Sequence, residues 1–527
     1  MASSPILLRG RFAARYVSRG CSVRYGLPIV QRRKASQLSP SDVDEEWKAL
    51  AQEIKAGRRK SVLRVLEERG YVNQIAGTRD DLETLLTEKR VGVYVGIDPT
   101  AQSLHVGHMV PFMALFWMYL HGYYAVSLMG GGTAAIGDPS HRLTARNEMA
   151  RETREKNAIE MHQQLADLWV KVEALAAKHG FQQQGPIRRV VLNNRDWLGS
   201  VNIIDFLSEM GSRARLGAML SRDTVKNRIE KGDGMAFSEF TYPILQAWDW
   251  WHLYQYGGVQ LQIGGADQYG NIVSGIDLAG YCAREMIAEI GGDEAKATLM
   301  GFTVPLLTTS SGEKFGKSAG NAVWLNPALT SSFDLYGYFV STPDADVERL
   351  LKLFTFLPLP TIQETIKAHN VDPGKRIAQH LLARQFVELA HGAHAAEAAE
   401  AEHRALFAKR HTLNVSDLIE NTAEPGSKRS TPAIFLPRSA VFGQSFASVL
   451  HSAGAVKSLG AAKRLIKSGG AYVRSVPDDD TQGRAYLSIK KLPQDTVADE
   501  YVMPEKNVLV LRVGKRRVRV IQVTKEE

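Results

Sequence analysis

A chain of 527 residues, 44% of them apolar, is too long for one ordinary domain and apolar enough to bury several cores, so about three or four domains are expected. No apolar run approaches the roughly 18 residues that span a bilayer, and two cysteines, Cys21 and Cys282, make neither a disulfide framework nor a metal cluster. The net charge of +9 is uneven: residues 1–41 hold eight Lys/Arg and no acid, Lys428 to the end holds 18 bases against 9 acids, and the body between them sums to about −8. A mildly acidic body with two basic ends puts any nucleic-acid surface at the ends.

Residues 1–40 are rich in arginine and serine and free of acid, with Arg9, Arg11, Arg15, Arg19 and Arg24 spaced among apolar residues. That is the composition of a mitochondrial transit peptide, with a disordered basic arm as the plainer alternative. Ser41 is expected to cap a helix through Arg58, with Val43, Trp47, Leu50 and Ile54 at helical spacing. A second helix covers Val62 to Glu68 and stops at Gly70. Val91 to Ile97 is a short β-branched run that reads as a buried, parallel, central strand. Asp98-Pro99-Thr100 breaks it, and Ser103 is expected to cap a helix from Leu104 to about Leu120. His105 and His108, three apart, then share a face and can donate to phosphate oxygens, while Gly107 lets a flat base approach the backbone. A helix N-terminus beyond a central strand is where α/β sheets take phosphorylated ligands.

Tyr123 to Met129 reads as a second strand, followed by a glycine cluster at Gly130–Gly132 and by Gly137-Asp138-Pro139-Ser140. Arg142 and Arg146 follow in a polar stretch whose plain reading is solvated charge. Residues 152–231 read as mostly helical (Ala158–Lys178, Ile203–Ser212, Leu216–Ile229) apart from a strand at Val190–Leu192. The stretch from Asn193 to Trp197 suggests no chemistry. Tyr242, Gln246 and Asp249 stand at i, i+4 and i+7 on one helix face amid tryptophans, which implies a wet pocket with aromatic walls. The strand holding Gln262 runs into Gly264-Gly265-Ala266-Asp267-Gln268, a glycine turn that opens a further helix. Lys314 and Lys317, beside Ser318, lie in a Gly- and Ser-rich loop able to meet phosphate charge. Helices are expected at Val347–Phe356, Thr361–Ala368 and Ile377–Ala405. After a polar linker, Lys463, Arg464 and Lys467 sit on a basic helix suited to phosphate contacts.

His105-Val-Gly-His108 resembles the HIGH signature of class I aminoacyl-tRNA synthetases, and Lys314-Phe-Gly-Lys317-Ser318 resembles their KMSKS loop, departing at Phe315 and Gly316. Tyr94 to His108, Phe240 to Asp249 and Gly264 to Asn271 resemble the bacterial-type tyrosyl-tRNA synthetases in particular, in the style of fungal mitochondrial members. The resemblance implies an α/β fold: a Rossmann-like catalytic domain (65–325) with a helical dimerisation insertion (about 152–231), preceded by a helical extension (41–64). An α-helical anticodon-binding domain (326–420), a linker (421–432) and a small C-terminal α+β RNA-binding domain (433–527), of a fold shared with a ribosomal small-subunit protein, would follow.

The same resemblance implies that Asp138, Tyr242 and Gln246 surround the ammonium group of tyrosine, with Asp98 and Gln262 in the same pocket, while Tyr94 and Asp249 meet the phenol. It implies that Gly96, Gly107, Gly265, Asp267, Gln268 and Ser318 bind ATP, supplied with Mg2+. Thr100, His105, His108, Arg142, Arg146, Lys314 and Lys317 would stabilise the transferring phosphates, and Lys463, Arg464 and Lys467 would hold RNA. The expected partners are tRNA(Tyr), tyrosine and ATP in a homodimer of the mitochondrial matrix, with no protein-held metal and no membrane. Two rivals stand beside this reading. A tryptophanyl enzyme shares the loops but has no need of the hydroxyl-reading pair Tyr94 and Asp249. A splicing role, in which the N-terminal helix binds structured intron RNA, is compatible with charging.

Overall fold

The computed structural model describes residues 40–140, 149–181, 188–231, 234–293, 297–308, 317–318, 321–407, 434–475, 488–492, 497–502, 507–513 and 517–524. Of the segment expected as a transit peptide, residues 1–39 lie outside them, and Pro40 opens helix Pro40–Lys55. The chain divides into two compact units, Met1–Glu45 and Glu46–Glu527; among the described residues, the sheets and apolar cores lie in the second. No helix among the described residues is long and apolar enough to cross a membrane.

Six strands form the central sheet: β1 (Gln74–Ala76), β2 (Gly92–Ile97), β3 (Tyr124–Met129), β4 (Arg189–Asn193), β5 (Val259–Gly265) and β6 (Met300–Val304). Their order is β1-β6-β5-β2-β3-β4, parallel except for β1, which pairs antiparallel with β6 at the edge. The sequence predicts β2 as central and parallel, and it is. Alternate side chains enter two different cores, Val93 and Val95 on one face and Tyr94 on the other. The chain runs outward from β2 through β3 to β4, then returns to lay β5 on the opposite side of β2. That reversal opens a crevice at the carboxyl ends of β2 and β5, where open α/β sheets take ligands.

The helix after β2 starts later than the sequence suggests. The α-helix spans Met109–Leu120, preceded by a 3-10 turn at Val106–His108. Ser103 is not its cap: its hydroxyl donates to the Leu104 carbonyl at 2.8 Å and accepts the Asn326 N–H at 3.2 Å. His105 is instead extended and bridges Trp324, with Leu104 and Val106 hydrogen-bonded to Leu325 and Val323, which delays the first helical turn. The helix is apolar all round because it is covered on every side, with Phe116 against Trp169 at 4.6 Å and Trp117 against Phe356 at 5.6 Å.

Segment 152–231 is only partly an appendage to the sheet. Helix Arg151–Lys178 buries Met161, Leu165, Trp169 and Val172 in the same core as Val93 and Val95, and β4 completes the sheet edge. Beyond β4 come short helices at Ile203–Phe206, Leu216–Leu220 and Asp223–Glu230, with a π turn at Leu207–Gly211. Ile203, Ile204, Leu216 and Ile229 are all exposed there.

Helices Ser332–Val340, Asp344–Phe354, Leu359–Val371, Ile377–His391 and Ala393–Phe407 form the helical part after the sheet. The single helix expected over Ile377–Ala405 is broken at Gly392, whose φ of +95° no helix accommodates. Two-residue strands β7 (Lys317–Ser318) and β8 (Asn321–Ala322) pair antiparallel ahead of it. A separate core at the C-terminus joins helices Phe446–Ser452 and Leu459–Lys467 to a five-stranded sheet. Its strands, β9 (Ile434–Pro437), β10 (Ala471–Ser475), β11 (Ser488–Lys491), β12 (Val508–Val513) and β13 (Arg517–Thr524), lie in the order β11-β10-β12-β13-β9.

Candidate active site

A cleft of about 780 Å³ opens at the crevice between β2 and β5. Side chains far apart in the chain converge on it because each lies on β2 or β5, follows the carboxyl end of a parallel strand, or sits on helix Phe237–Gly257. Tyr94, Gly96, Asp98, Thr100, His105, Gly107 and His108 line it from β2 and the turn after it. Asp138 enters from the loop after β3, Tyr242, Gln246 and Asp249 from the helix, and Gln262, Gly265, Asp267 and Gln268 from β5 and its turn. Arg142, Arg146 and Lys314 lie outside the described residues. For Lys317 and Ser318 only the strand β7 is described.

The deep end is built around Asp249, 2% exposed. Its Oδ1 accepts the Trp197 Nε1–H at 2.7 Å and its Oδ2 accepts the Asn194 amide at 2.8 Å. Burial pushes this carboxyl up to about 7, although both hydrogen bonds favour the charged form. The Tyr94 hydroxyl and Gln262 Oε1, both buried at the same end, have no hydrogen-bond partner among the described residues. Burial, and then the charge of Asp249, hold the Tyr94 phenol well above its usual range, so it stays a neutral donor. Two unmatched buried polar groups beside a carboxylate with spare lone pairs call for a small polar group on an otherwise apolar ligand.

Nearer the mouth, Asp98 and Asp138 anchor a second polar set. Asp98 accepts the Tyr242 hydroxyl at 2.9 Å and the Thr133 hydroxyl at 2.8 Å. Asp138 accepts the Gln268 amide at 2.7 Å and its own loop's Ser140 N–H at 2.9 Å. Gln246 donates to Gln268 Oε1 at 3.3 Å, and Asn271 donates to Gln246 Oε1 at 3.2 Å. Two carboxylates, each accepting hydrogen bonds from neutral groups, put negative charge in this part of the cleft, which favours a cation there. The glycine cluster is needed here: a Cβ on Gly130 would lie 1.9 Å from Asp98 Oδ1 and 2.5 Å from Thr133 Oγ1.

At the opposite wall the two signature histidines stack on each other, ring centroids 3.5 Å apart at 21°. His108 Nδ1 accepts the His105 backbone N–H at 3.3 Å, which leaves His108 Nε2 to carry the ring proton. Gly107 is explained differently from the sequence expectation. A Cβ there would meet the His105 ring at 3.0 Å, so the missing side chain makes room for imidazole. Gly96 also lines the cleft, and a Cβ there would meet no protein atom within 4 Å.

Sequence reasoning overlooked Asn194, Trp197 and Thr133, although all three hold the site's carboxylates. The signal was positional: residues 193–197 follow β4 at the same sheet edge as every other site loop. Lys463, Arg464 and Lys467 are not part of the cleft; they lie on helix Leu459–Lys467 of the C-terminal sheet domain, away from its core.

The family model for class I tRNA synthetases (W and Y) matches residues 86–408, and that for the tyrosyl-tRNA synthetase C-terminal domain matches residues 426–527. The chain is 42% identical over 516 residues to the mitochondrial tyrosine–tRNA ligase of Podospora anserina, covering 93% of this chain and 79% of that one. The chain belongs to the mitochondrial tyrosyl-tRNA synthetases. This synthetase is also 36% identical over 461 residues to the mitochondrial tyrosine–tRNA ligase of Drosophila melanogaster, covering 87% and 93% of the two chains. Among solved structures it resembles a C-terminally truncated Aspergillus nidulans mitochondrial tyrosyl-tRNA synthetase, with a TM-score of 0.66 and 46% identity over 70% of this chain and 100% of that one. A Coccidioides posadasii counterpart gives a TM-score of 0.64 at 48% identity, covering 69% and 97%. The synthetase is thus a class I tyrosine–tRNA ligase with the Rossmann-like sheet expected of that class, and the tryptophanyl reading gives way to these tyrosyl relatives.

Proposed function

We propose that the cleft binds tyrosine with its phenol against Asp249 and Tyr94 and its ammonium group among Asp138, Tyr242, Gln246 and Asp98, with Gln262 alongside. The observation that carries this reading is the buried trio at the deep end: one carboxylate near its titration point and two polar groups without hydrogen-bond partners among the described residues. A phenol donates to a spare lone pair of Asp249 and accepts from Tyr94, whereas phenylalanine offers the Tyr94 hydroxyl no partner and lays apolar surface against the carboxylate. Rejection by unpaired polar groups is a rule for which tyrosyl enzymes are themselves the standard example.

ATP enters as its magnesium complex across Gly96, Gly107, Gly265, Asp267 and Gln268. The tyrosine carboxylate attacks the α-phosphate, forming the carboxyl–phosphate bond of tyrosyl-adenylate as the bond to pyrophosphate breaks. No covalent enzyme intermediate is needed. Thr100, His105, His108, Ser318 and the cations Arg142, Arg146, Lys314 and Lys317 stabilise charge on the transferring phosphates. Tyrosine then passes to the 3′ end of tRNA(Tyr), held in part by Lys463, Arg464 and Lys467. The exposed apolar residues between 203 and 229 support a homodimer, and the arginine-rich start supports import to the mitochondrial matrix. Intron RNA binding by the N-terminal helix is a separate proposal, which splicing assays on a protein lacking 41–58 would test.

Pyrophosphate exchange with purified protein offered tyrosine, phenylalanine or tryptophan tests the reading. Exchange with tyrosine alone supports it; exchange with tryptophan overturns the pocket assignment.

A further inference from the structure

The His105 segment is supported from outside its own stretch of chain. Leu325 N–H donates to the Leu104 carbonyl at 2.8 Å and Val106 N–H donates to the Val323 carbonyl at 3.0 Å, with His105 and Trp324 facing each other as an antiparallel bridge. Residues 323–325 are the direct continuation of β8, which pairs with β7 and so with Lys317 and Ser318. One short ladder therefore joins the two signature segments of the site. Its far end is fixed from the helical part of the chain. His391, the last residue of helix Ile377–His391, places Nε2 3.0 Å from the Leu325 carbonyl oxygen and Nδ1 2.8 Å from Ser332 Oγ.

A carbonyl only accepts, so Nε2 carries the hydrogen and Nδ1 receives the serine hydroxyl. That arrangement requires a neutral ring, and burial pushes His391 down to about 4. Leu325 is buried and has its N–H on Leu104 and its carbonyl on His391, so each link fixes the next.

We propose that His391 is a positioning residue for tyrosine activation, acting through Leu325 to hold the 323–325 strand against His105 and thereby to register the Lys317 segment with the phosphate side of the cleft. It touches neither substrate. The proposal rests on the assignment of His105 and Lys317 to ATP. Its effect falls on the ATP half of the reaction, because the ring of His391 bonds to Leu325 and Ser332, neither of which lines the cleft, whereas the tyrosine pocket is set by β2, β5, the loops after β3 and β4 and helix Phe237–Gly257.

The test is pyrophosphate exchange by the full chain, with tyrosine and ATP varied separately. His391→Ala should lose about tenfold in kcat/KM for ATP, on the scale of one lost positioning hydrogen bond, with the KM for tyrosine unchanged. His391→Gln, whose amide reaches the Leu325 carbonyl, should recover most of that loss. A His391→Ala enzyme with unaltered ATP kinetics overturns the proposal, and so does equal loss towards both substrates that glutamine does not rescue. Should His391→Ala not fold, Ser332→Ala carries the test: it loosens the ring without removing it and should lower kcat/KM for ATP about threefold with the tyrosine KM intact, no change being the contrary result. His105→Ala is the control for the underlying assignment. If it leaves ATP kinetics intact, the role of His105 falls; if it impairs them while His391→Ala does not, only the support role falls.

Discussion

Asp249 shows most plainly how burial sets chemistry at a single residue. Its folded pKa of about 7 stands above the ordinary 3.8. A raised carboxyl contributes stability that is fully present below about 4 and is lost as pH rises through about 7, because the folded state holds the proton more tightly. Binding runs the other way: the ionised form is the better acceptor for a phenol, so tyrosine affinity should rise as pH passes through neutrality. Trp197 donates one of the two hydrogen bonds that favour the ionised form. Trp197→Phe should therefore move the pH profile of the tyrosine KM to higher pH and weaken tyrosine about fivefold at neutral pH, the scale of one hydrogen bond to a charged group. A profile that does not move would detach Trp197 from this role.

At the scale of elements, the parts that could be read from sequence are those where local pattern and tertiary demand agree. The β-branched run of β2, the Ser61-capped helix Val62–Arg69 with Gly70 in the left-handed region, and the Tyr242–Asp249 face all follow from nearest-neighbour chemistry. The misplaced start of helix Met109–Leu120 came from elsewhere. Ser103 looks like a cap, but residues 323–325, over two hundred positions later, draw 104–106 into extended pairing. No local signal carries that. The role of Asn194 and Trp197 was hidden for a similar reason, since their partner Asp249 is 55 and 52 positions away. Nor does local pattern show why a glycine stands at 130: the Asp98 carboxylate and the Thr133 hydroxyl occupy the space a methyl would need. Gly130→Ala should push Asp98 from its bonds to Thr133 and Tyr242, cutting exchange by about tenfold or more and lowering the melting temperature by several degrees. Unaltered kinetics would mean that Asp98 has no part in the site.

Across the whole molecule, two apolar cores are kept apart. The sheet and the helices over 332–407 share one apolar core, whereas the C-terminal sheet has a core of its own. Activation chemistry should therefore survive loss of residues 426–527, while tRNA charging should not be retained at full efficiency. Within that domain Lys463, Arg464 and Lys467 stand together on one helix. Replacing all three by alanine should raise the KM for tRNA and flatten its dependence on salt, by about one unit of logarithmic slope for each phosphate no longer neutralised, with pyrophosphate exchange unchanged. A salt dependence equal to that of the wild type would place the RNA-binding surface elsewhere on the chain.

In the proposed pocket, substrate choice turns on one buried carboxylate, Asp249, set against the phenol of tyrosine. The decisive quantity is the ratio of kcat/KM for tyrosine to that for phenylalanine in pyrophosphate exchange, in the wild type and in Asp249→Ala. The ratio should fall by about one to two orders of magnitude in the variant, through loss of tyrosine activity rather than gain towards phenylalanine, as expected for a hydrogen bond to a charged partner. A variant that keeps the wild-type ratio would overturn this role for Asp249, and the discriminating group would have to be sought in Tyr94 and Gln262 alone.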